Sequence, residues 1–411
     1  MTIVSEGGPV SGTALSRLIT VPAEQFAEQI WGREPLLSRA ANLGQDFSDL
    51  FSLDAVDELV ADRAIRTPFV RMANEGDLLA PGRYTGPSGF GAEVGDQLDP
   101  DKVLAEFAAG ATLVLQGLHR TWPPLREFTR RLVEELGHPA QVNAYITPAS
   151  SRGFDPHYDV HDVFVVQVHG SKHWAIHPPV HPDPLRTQPW SDHADAVAQQ
   201  ASHPPVIDET FDPGDVLYLP RGWIHSATAL GGTSIHLTIG VSALTRWDVV
   251  QQLLTRLADD PALRESLPVA FDRLPADDFA SIVDATASAV GASLAGHADA
   301  ATIGRSLAAT LRESGRPQPL RPISTVEKLA DLAAARVRWR AGLGATIQRD
   351  DSQVHIVRGA RVTSLPLEAG DAIDSLSAGV PAPARVLVGL DPESSLVVAR
   401  RLVREGILVV V

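Results

Sequence analysis

Phe154-Asp155-Pro156-His157-Tyr158-Asp159-Val160-His161-Asp162-Val163-Phe164-Val165-Val166-Gln167 passes from polar to apolar, β-branched residues within one short run. In an extended chain successive side chains alternate faces, so His157 and Asp159 project to the same side and can share one ion. A third donor is expected from His225, which ends Gly214-Asp215-Val216-Leu217-Tyr218-Leu219-Pro220-Arg221-Gly222-Trp223-Ile224-His225, a strand running into a turn. Two histidines and one carboxylate on one face of an octahedral metal leave three positions open, the arrangement in which non-haem Fe(II) binds an oxo-acid and dioxygen together. The His-x-Asp pair alone says little, because with 14 His and 50 acidic residues such pairs arise by chance. His161 shares the face if the strand stays regular and competes as an extra or replacement ligand. Asp155 and Asp162 read as turn or supporting groups, and His169, His173 and His177 as sheet-surface or core residues.

Outside this run, the surroundings narrow the chemistry. Lys172 follows the expected turn His169-Gly170-Ser171, and alternation groups it with Trp174 and Ile176, a face that should be buried. A buried ammonium requires an anion, since desolvating an unpaired charge costs several kcal/mol. The distal carboxylate of an oxo-diacid would serve. The competing reading is a surface lysine whose stem snorkels over Trp174. Along Ser234-Ile235-His236-Leu237-Thr238-Ile239-Gly240-Val241 the polar Ser234, His236 and Thr238 share one face, and Asn143, Tyr145 and Thr147 do the same upstream. Such faces line a ligand cavity or meet solvent.

Short β-type runs (Val163 to Val168, His173 to Ile176, Val216 to Leu219, Ser234 to Val241) between Gly, Pro and Asp turns predict an antiparallel barrel or sandwich. Residues up to about 130 read as helices and loops. From about Arg246 to Ser314 the spacing of Val249, Leu253, Leu254 and Leu257 is helical. Gly315 to Pro322 reads as a linker. A helix from Pro392 to a stop at Gly406, followed by the strand Ile407 to Val411, suggests a winged helix. The 411 residues, 44% hydrophobic, suffice for two or three domains. With no cysteine, thiolate metal sites, disulfides and cysteine nucleophiles are excluded. The absence of a long apolar run and of a secretory pattern at the start leads us to expect a cytoplasmic protein without a membrane span. A net charge of -15 favours a basic protein or peptide over a polyanion.

The sequence resembles the JmjC-domain ribosomal oxygenases of the cupin superfamily, which hydroxylate ribosomal protein side chains with Fe(II), 2-oxoglutarate and dioxygen. Asn143-Ala144-Tyr145-Ile146-Thr147-Pro148 looks like the family's entry strand, and His157-Tyr158-Asp159 with Asp162-Val163-Phe164 and Gln167 like its metal strand. Leu217-Tyr218-Leu219-Pro220-Arg221-Gly222 leading to His225, then His236-Leu237-Thr238, is similar to its closing segment. The resemblance implies that His157, Asp159 and His225 are iron ligands, that Lys172 pairs with the distal carboxylate of 2-oxoglutarate, and that Tyr145 and Thr238 are further contacts to it. Asn143 and His236 would line the pocket. It also implies an α+β chain: a double-stranded β-helix (jelly-roll cupin) with N-terminal helices over 1–244, a helical dimerisation domain over 245–322 and a winged-helix-like domain over 323–411. The expected partners are a ribosomal protein, hydroxylated on His or Arg, and a second copy of the chain. Trp223 and the insertion-like stretch His181 to Pro205 are departures that could shape the substrate entrance.

Two further readings stay open. One is a 2-oxoglutarate oxygenase acting on another protein or a precursor peptide. The other is a non-enzymatic winged-helix regulator with a cupin sensor, although Arg336, Arg338, Arg340, Arg349, Arg358 and Arg361 are interspersed with acids, which argues against DNA.

Overall fold

The computed structural model describes residues 12–74, 76–91, 93–149, 155–297 and 300–411. The chain divides into two compact units, Met1–Ala243 and Leu244–Val411.

The first unit is built on one large antiparallel sheet. Its strands are β1 (Leu36–Ser38), β2 (Val70–Asn74), β3 (Asp77–Leu78), β4 (Thr112–Leu115), β5 (Ala140–Thr147), β6 (Asp162–His177), β7 (Ile207–Phe211), β8 (Val216–Leu219) and β9 (Ile224–Val241). They run in the order β1-β8-β6-β9-β5-β4-β2-β3, with β7 paired to β6. Alternation sorts the side chains. Ile235, Leu237 and Ile239 of β9, Val142, Ala144 and Ile146 of β5, and Phe164 and Val166 of β6 are buried in the main core with Leu125, Phe128 and Leu132. These last three come from α3 (Pro123–Leu136); α1 (Leu53–Ala61) and α2 (Pro100–Ala108) precede it. Pro123 at the first position of α3 and Gly137 in the left-handed region at its end mark its limits. Val163, Val165, Trp174, Ile176, Phe211, Leu217 and Leu219 form a second cluster on the other face.

Three expectations are corrected. The region up to residue 130 contributes β1, β2, β3 and β4 to the sheet, short runs with too few residues for a clear period. His157 and Asp159 lie outside a regular strand: β6 begins at Asp162, and His157 makes only an isolated bridge to His225. The turn at His169 to Ser171 is a bend within one strand. Gly170 has φ +60°, and a Cβ there would lie 2.2 Å from Thr233 O, so glycine lets β6 bend against β9 without ending the pairing.

The second unit contains α5 (Arg246–Leu257), α6 (Ala276–His297) and α7 (Ala300–Ser314), after α4 (Ala194–Ala201) of the first unit. Later in the chain, strands Arg336–Trp339, Ala382–Pro383 and Leu408–Val410 form one small sheet, and Thr346–Arg349, Gln353–Arg358 and Arg361–Pro366 another. A core of Val337, Ile356, Ile373, Leu402 and Ile407 joins them to helices Gly370–Ser377 and Pro392–Arg404. The expected last helix and terminal strand are thus present, with Gly406 at φ +68° between them. No single helix among the described residues is long and apolar enough to cross a membrane.

Candidate active site

Two backbone segments clip the donors together. His157 N donates to His225 O (3.2 Å) and His225 N to His157 O (2.9 Å), while Gly222 N donates to Asp159 O (3.0 Å). A pair that exchanges both hydrogen bonds puts its side chains on one face. Accordingly the imidazoles of His157 and His225 stand 4.5 Å apart between centroids, and Asp159 Oδ2 lies 3.8 Å from His225 Nε2. Each ring is oriented by a carbonyl two residues upstream: His157 Nδ1 meets Asp155 O at 2.7 Å, and His225 Nδ1 meets Trp223 O at 3.1 Å. With Nδ1–H donating, Nε2 carries the lone pair a metal would take.

The charge states suit coordination. Burial, then His157, pulls the His225 imidazole down to about 4, so it is neutral near pH 7. Burial pushes the Asp159 carboxyl up, but His161, His225, His157 and Arg71 together hold it below the usual carboxylate value. Among the described residues no group of three or more His, Asp and Glu is gathered closely enough to hold an ion.

A small cleft, partly open to solvent, is lined by His157, Asp159, His225, Lys172, Tyr145, His236 and Thr238, together with Thr112, Trp174 and Ser226. Lys172 is only 3% exposed, so the surface-lysine reading fails. Its Nζ donates to Thr147 Oγ1 at 3.2 Å and stands 5.9 Å from the Trp174 ring. No carboxylate among the described residues pairs with it, and burial alone brings its ammonium down to about 7. His236 stacks on Tyr145 at 5.0 Å, and its Nδ1 is buried with no partner among the described residues. Burial, then Lys172 and His225, push His236 well below its ordinary value. A cavity holding a buried, unpaired ammonium beside a neutral histidine is suited to an anion.

Asn143 is not brought into the cleft. It shares the face of Tyr145, but its Oδ1 accepts from Gly117 N (3.0 Å), holding the left-handed turn at Gly117. His161 is near enough to act on Asp159, yet its ring packs over Gly240, where a Cβ would lie 2.3 Å from it. Asp162 has a supporting place: its Oδ1 accepts from Arg221 N (2.9 Å) at the turn leading to His225. Arg71 on β2 escaped the sequence reading. Paired positions run Arg71, Val114, Tyr145, His236 across four strands, and Arg71 hydrogen-bonds Tyr145. Its signal is the alternation Val70-Arg71-Met72, with both neighbours buried.

The JmjC domain family matches residues 121–249, the stretch containing the metal-type donors and Lys172. Residues 121–249 are a JmjC domain. Around this JmjC domain the chain is 31% identical over 265 residues to ribosomal oxygenase 1 of Rattus norvegicus, covering 63% of this chain and 42% of that protein. It is 28% identical over 228 residues to the bifunctional lysine-specific demethylase and histidyl-hydroxylase NO66 of Aedes aegypti, covering 55% and 34%. The chain thus spans less than half the length of these relatives. A structure of YcfD, a ribosomal oxygenase from Escherichia coli in complex with cobalt and 2-oxoglutarate, is similar over 96% of this chain and 99% of that one. The TM-score is 0.52 and the identity 17%, a likeness of fold. The JmjC domain accordingly has a cupin-type β-sheet core with flanking helices.

Proposed function

We propose that this chain is an Fe(II)- and 2-oxoglutarate-dependent oxygenase that hydroxylates a histidine or arginine side chain of a ribosomal protein. The observation that carries this reading is Lys172, a buried ammonium without a carboxylate partner, lining the same cleft as His157, Asp159 and His225. His157 and His225 would hold the metal through Nε2 and Asp159 through its carboxylate. Lys172 would pair with the distal carboxylate of 2-oxoglutarate, with Thr147 orienting the ammonium and Tyr145 and Thr238 as further contacts. Bound Fe(II), with 2-oxoglutarate and dioxygen, supplies the oxidising power to insert one oxygen atom into a C–H bond, leaving succinate and carbon dioxide. The apolar wall of Val163, Val165 and Trp174 excludes water from that reaction. The names of the relatives, ribosomal oxygenase and histidyl-hydroxylase, support a protein side chain as substrate.

For the rest of the chain we propose a JmjC unit over 1–244, a dimerisation region over 245–322 and a winged-helix-like domain over 323–411, in a cytoplasmic homodimer. Trp247, Leu254, Phe279 and Val283 are exposed apolar residues in the second region, which supports a partner there. The decisive experiment is anaerobic reconstitution with Fe(II), addition of oxygen, and measurement of succinate from 2-oxoglutarate in the wild type and in His225→Ala. Succinate should form only in the wild type; formation indifferent to His225 refutes the site. Proteomics of a strain lacking the protein, looking for a lost modification of one oxygen atom, separates a ribosomal target from another protein or a precursor peptide.

A further inference from the structure

We propose that Trp190 is the substrate platform of this site, its indole stacking on a planar cationic side chain, arginine or histidine, presented to the metal centre. The inference rests on the oxygenase reading and adds the element that selects the substrate. Trp190 belongs to a short 3-10 turn, Trp190–His193, inside the stretch 181–205. This stretch is fastened to the proposed ligand segments at several points. Tyr158, between His157 and Asp159, is 1% exposed and donates its hydroxyl to Gln188 O at 3.1 Å. Gln188 Oε1 in turn accepts from Leu185 N at 2.8 Å. Arg221 pairs with Asp183 at 3.1 Å, and Val197 of α4 packs with Tyr158 and Ile224 in a small apolar cluster. The turn bearing Trp190 is therefore tied to the residues flanking His157 and His225.

Trp190 itself takes no part in that packing. It belongs to none of the apolar clusters of the first unit, is 37% exposed, and its ring lies 6.3 Å from the His157 ring at 53°. A large aromatic held on an anchored turn, half out of the core and beside a metal-type histidine, has an indole face to offer. Asp192, two residues along the same turn and close enough to act on Tyr158, and Asp155, whose carbonyl meets His157 Nδ1, make this part of the molecule acidic. An indole face with carboxylates nearby favours a flat, delocalised cation. Guanidinium stacks better than ammonium, and an aliphatic side chain gains nothing from the charge.

The test uses the full chain labelled with 5-fluorotryptophan, the Trp190 signal among the seven indoles being identified by its loss in Trp190→Phe. Unmoved positions of the other signals in that variant report an intact fold. Capped tripeptides with central arginine, histidine, lysine or leucine are then titrated. The Trp190 signal should move with arginine, histidine or both, and Trp190→Ala should weaken binding of the responding peptide about tenfold. A signal that moves with none, or as much with lysine or leucine as with the planar side chains, overturns the proposal. The titration needs no iron, 2-oxoglutarate or turnover, so its failure and a failed succinate assay are separate results.

Discussion

Binding of 2-oxoglutarate should be linked to the uptake of one proton at Lys172. In the ligand-free protein burial brings the ammonium to about 7, whereas a carboxylate partner would favour the charged form. Only the protonated protein binds well, so the apparent dissociation constant grows by the factor 1 + 10^(pH−7). Affinity is then nearly constant below pH 6 and about tenfold weaker at pH 8. The same equilibrium requires about 0.9 proton taken up per ligand at pH 8 and about 0.1 at pH 6. His225, at about 4, does not titrate in that window. The assay is calorimetry of 2-oxoglutarate binding to the Mn(II)-loaded protein without oxygen, in two buffers of different ionisation enthalpy. The slope of heat against buffer enthalpy counts the protons. Lys172→Arg, permanently charged, should bind without the pH dependence. Equal affinity and no proton uptake at pH 8 in the wild type would refute the pairing of Lys172 with the ligand.

Three further outcomes follow from the same structure. Because the folded Lys172 is held below its unfolded 10.5, the unfolded chain binds the proton more readily between pH 7 and 10.5. Stability contributed by this group is therefore present above pH 10.5 and lost as pH falls to 7. Lys172→Met should accordingly stabilise the ligand-free protein by about 4 kcal/mol at pH 7 and only about 1 kcal/mol at pH 9.5, read by urea unfolding, while abolishing 2-oxoglutarate binding. Gly222→Ala places a Cβ 2.7 Å from His181 O at φ +87°, costing about 1–3 kcal/mol, and disturbs the bond from Gly222 N to Asp159 O. Both melting temperature and Co(II) affinity, followed by visible absorption, should fall; an unchanged Co(II) affinity would mean the turn does not set the ligand geometry. Thr245→Ala removes the capping box of α5, where Thr245 Oγ1 and N both meet Asp248. It should cost the second unit about 1 kcal/mol and leave Co(II) binding unaltered.

Much of the site is legible in the sequence because strand alternation works over Ser234 to Val241 and Asn143 to Thr147. Polar residues at every second position against Ile235, Leu237 and Ile239 mark an apolar face for a core and a polar one for a cavity or solvent; the structure buries the first and brings Tyr145, His236 and Thr238 of the second to the cleft. Lys172 was readable for the same reason, its phase with Trp174 and Ile176 predicting burial. Alternation fails where the chain is irregular. His157 and Asp159 end on one side because two hydrogen bonds pair His157 with His225 and a third ties Gly222 to Asp159. Asn143 keeps the right phase, yet a backbone N–H at Gly117, distant in sequence, claims its side chain.

What stayed hidden shares a physical cause. Arg71 becomes meaningful only when β2 and β4 align it with Tyr145, and strands of five and four residues leave a period too short to separate from chance. Trp190 sits in a stretch with no period at all; its place beside His157 is set by a tyrosine hydroxyl, an ion pair and one valine, each reaching across the chain. The groups that would hold the anion, Lys172, Tyr145 and Thr238, are arranged by sheet register, which local sequence encodes through alternation. His157 and Asp159 are set instead by hydrogen bonds to the segment before and at the start of β9. The groups that would select a substrate are arranged by tertiary anchors, which local sequence does not encode. An exchange of the 181–205 stretch should therefore change substrate preference while leaving Co(II) and 2-oxoglutarate binding in place, provided Tyr158, Arg221 and Ile224 keep partners. Loss of Co(II) binding despite those partners would show that the stretch shapes the metal site itself.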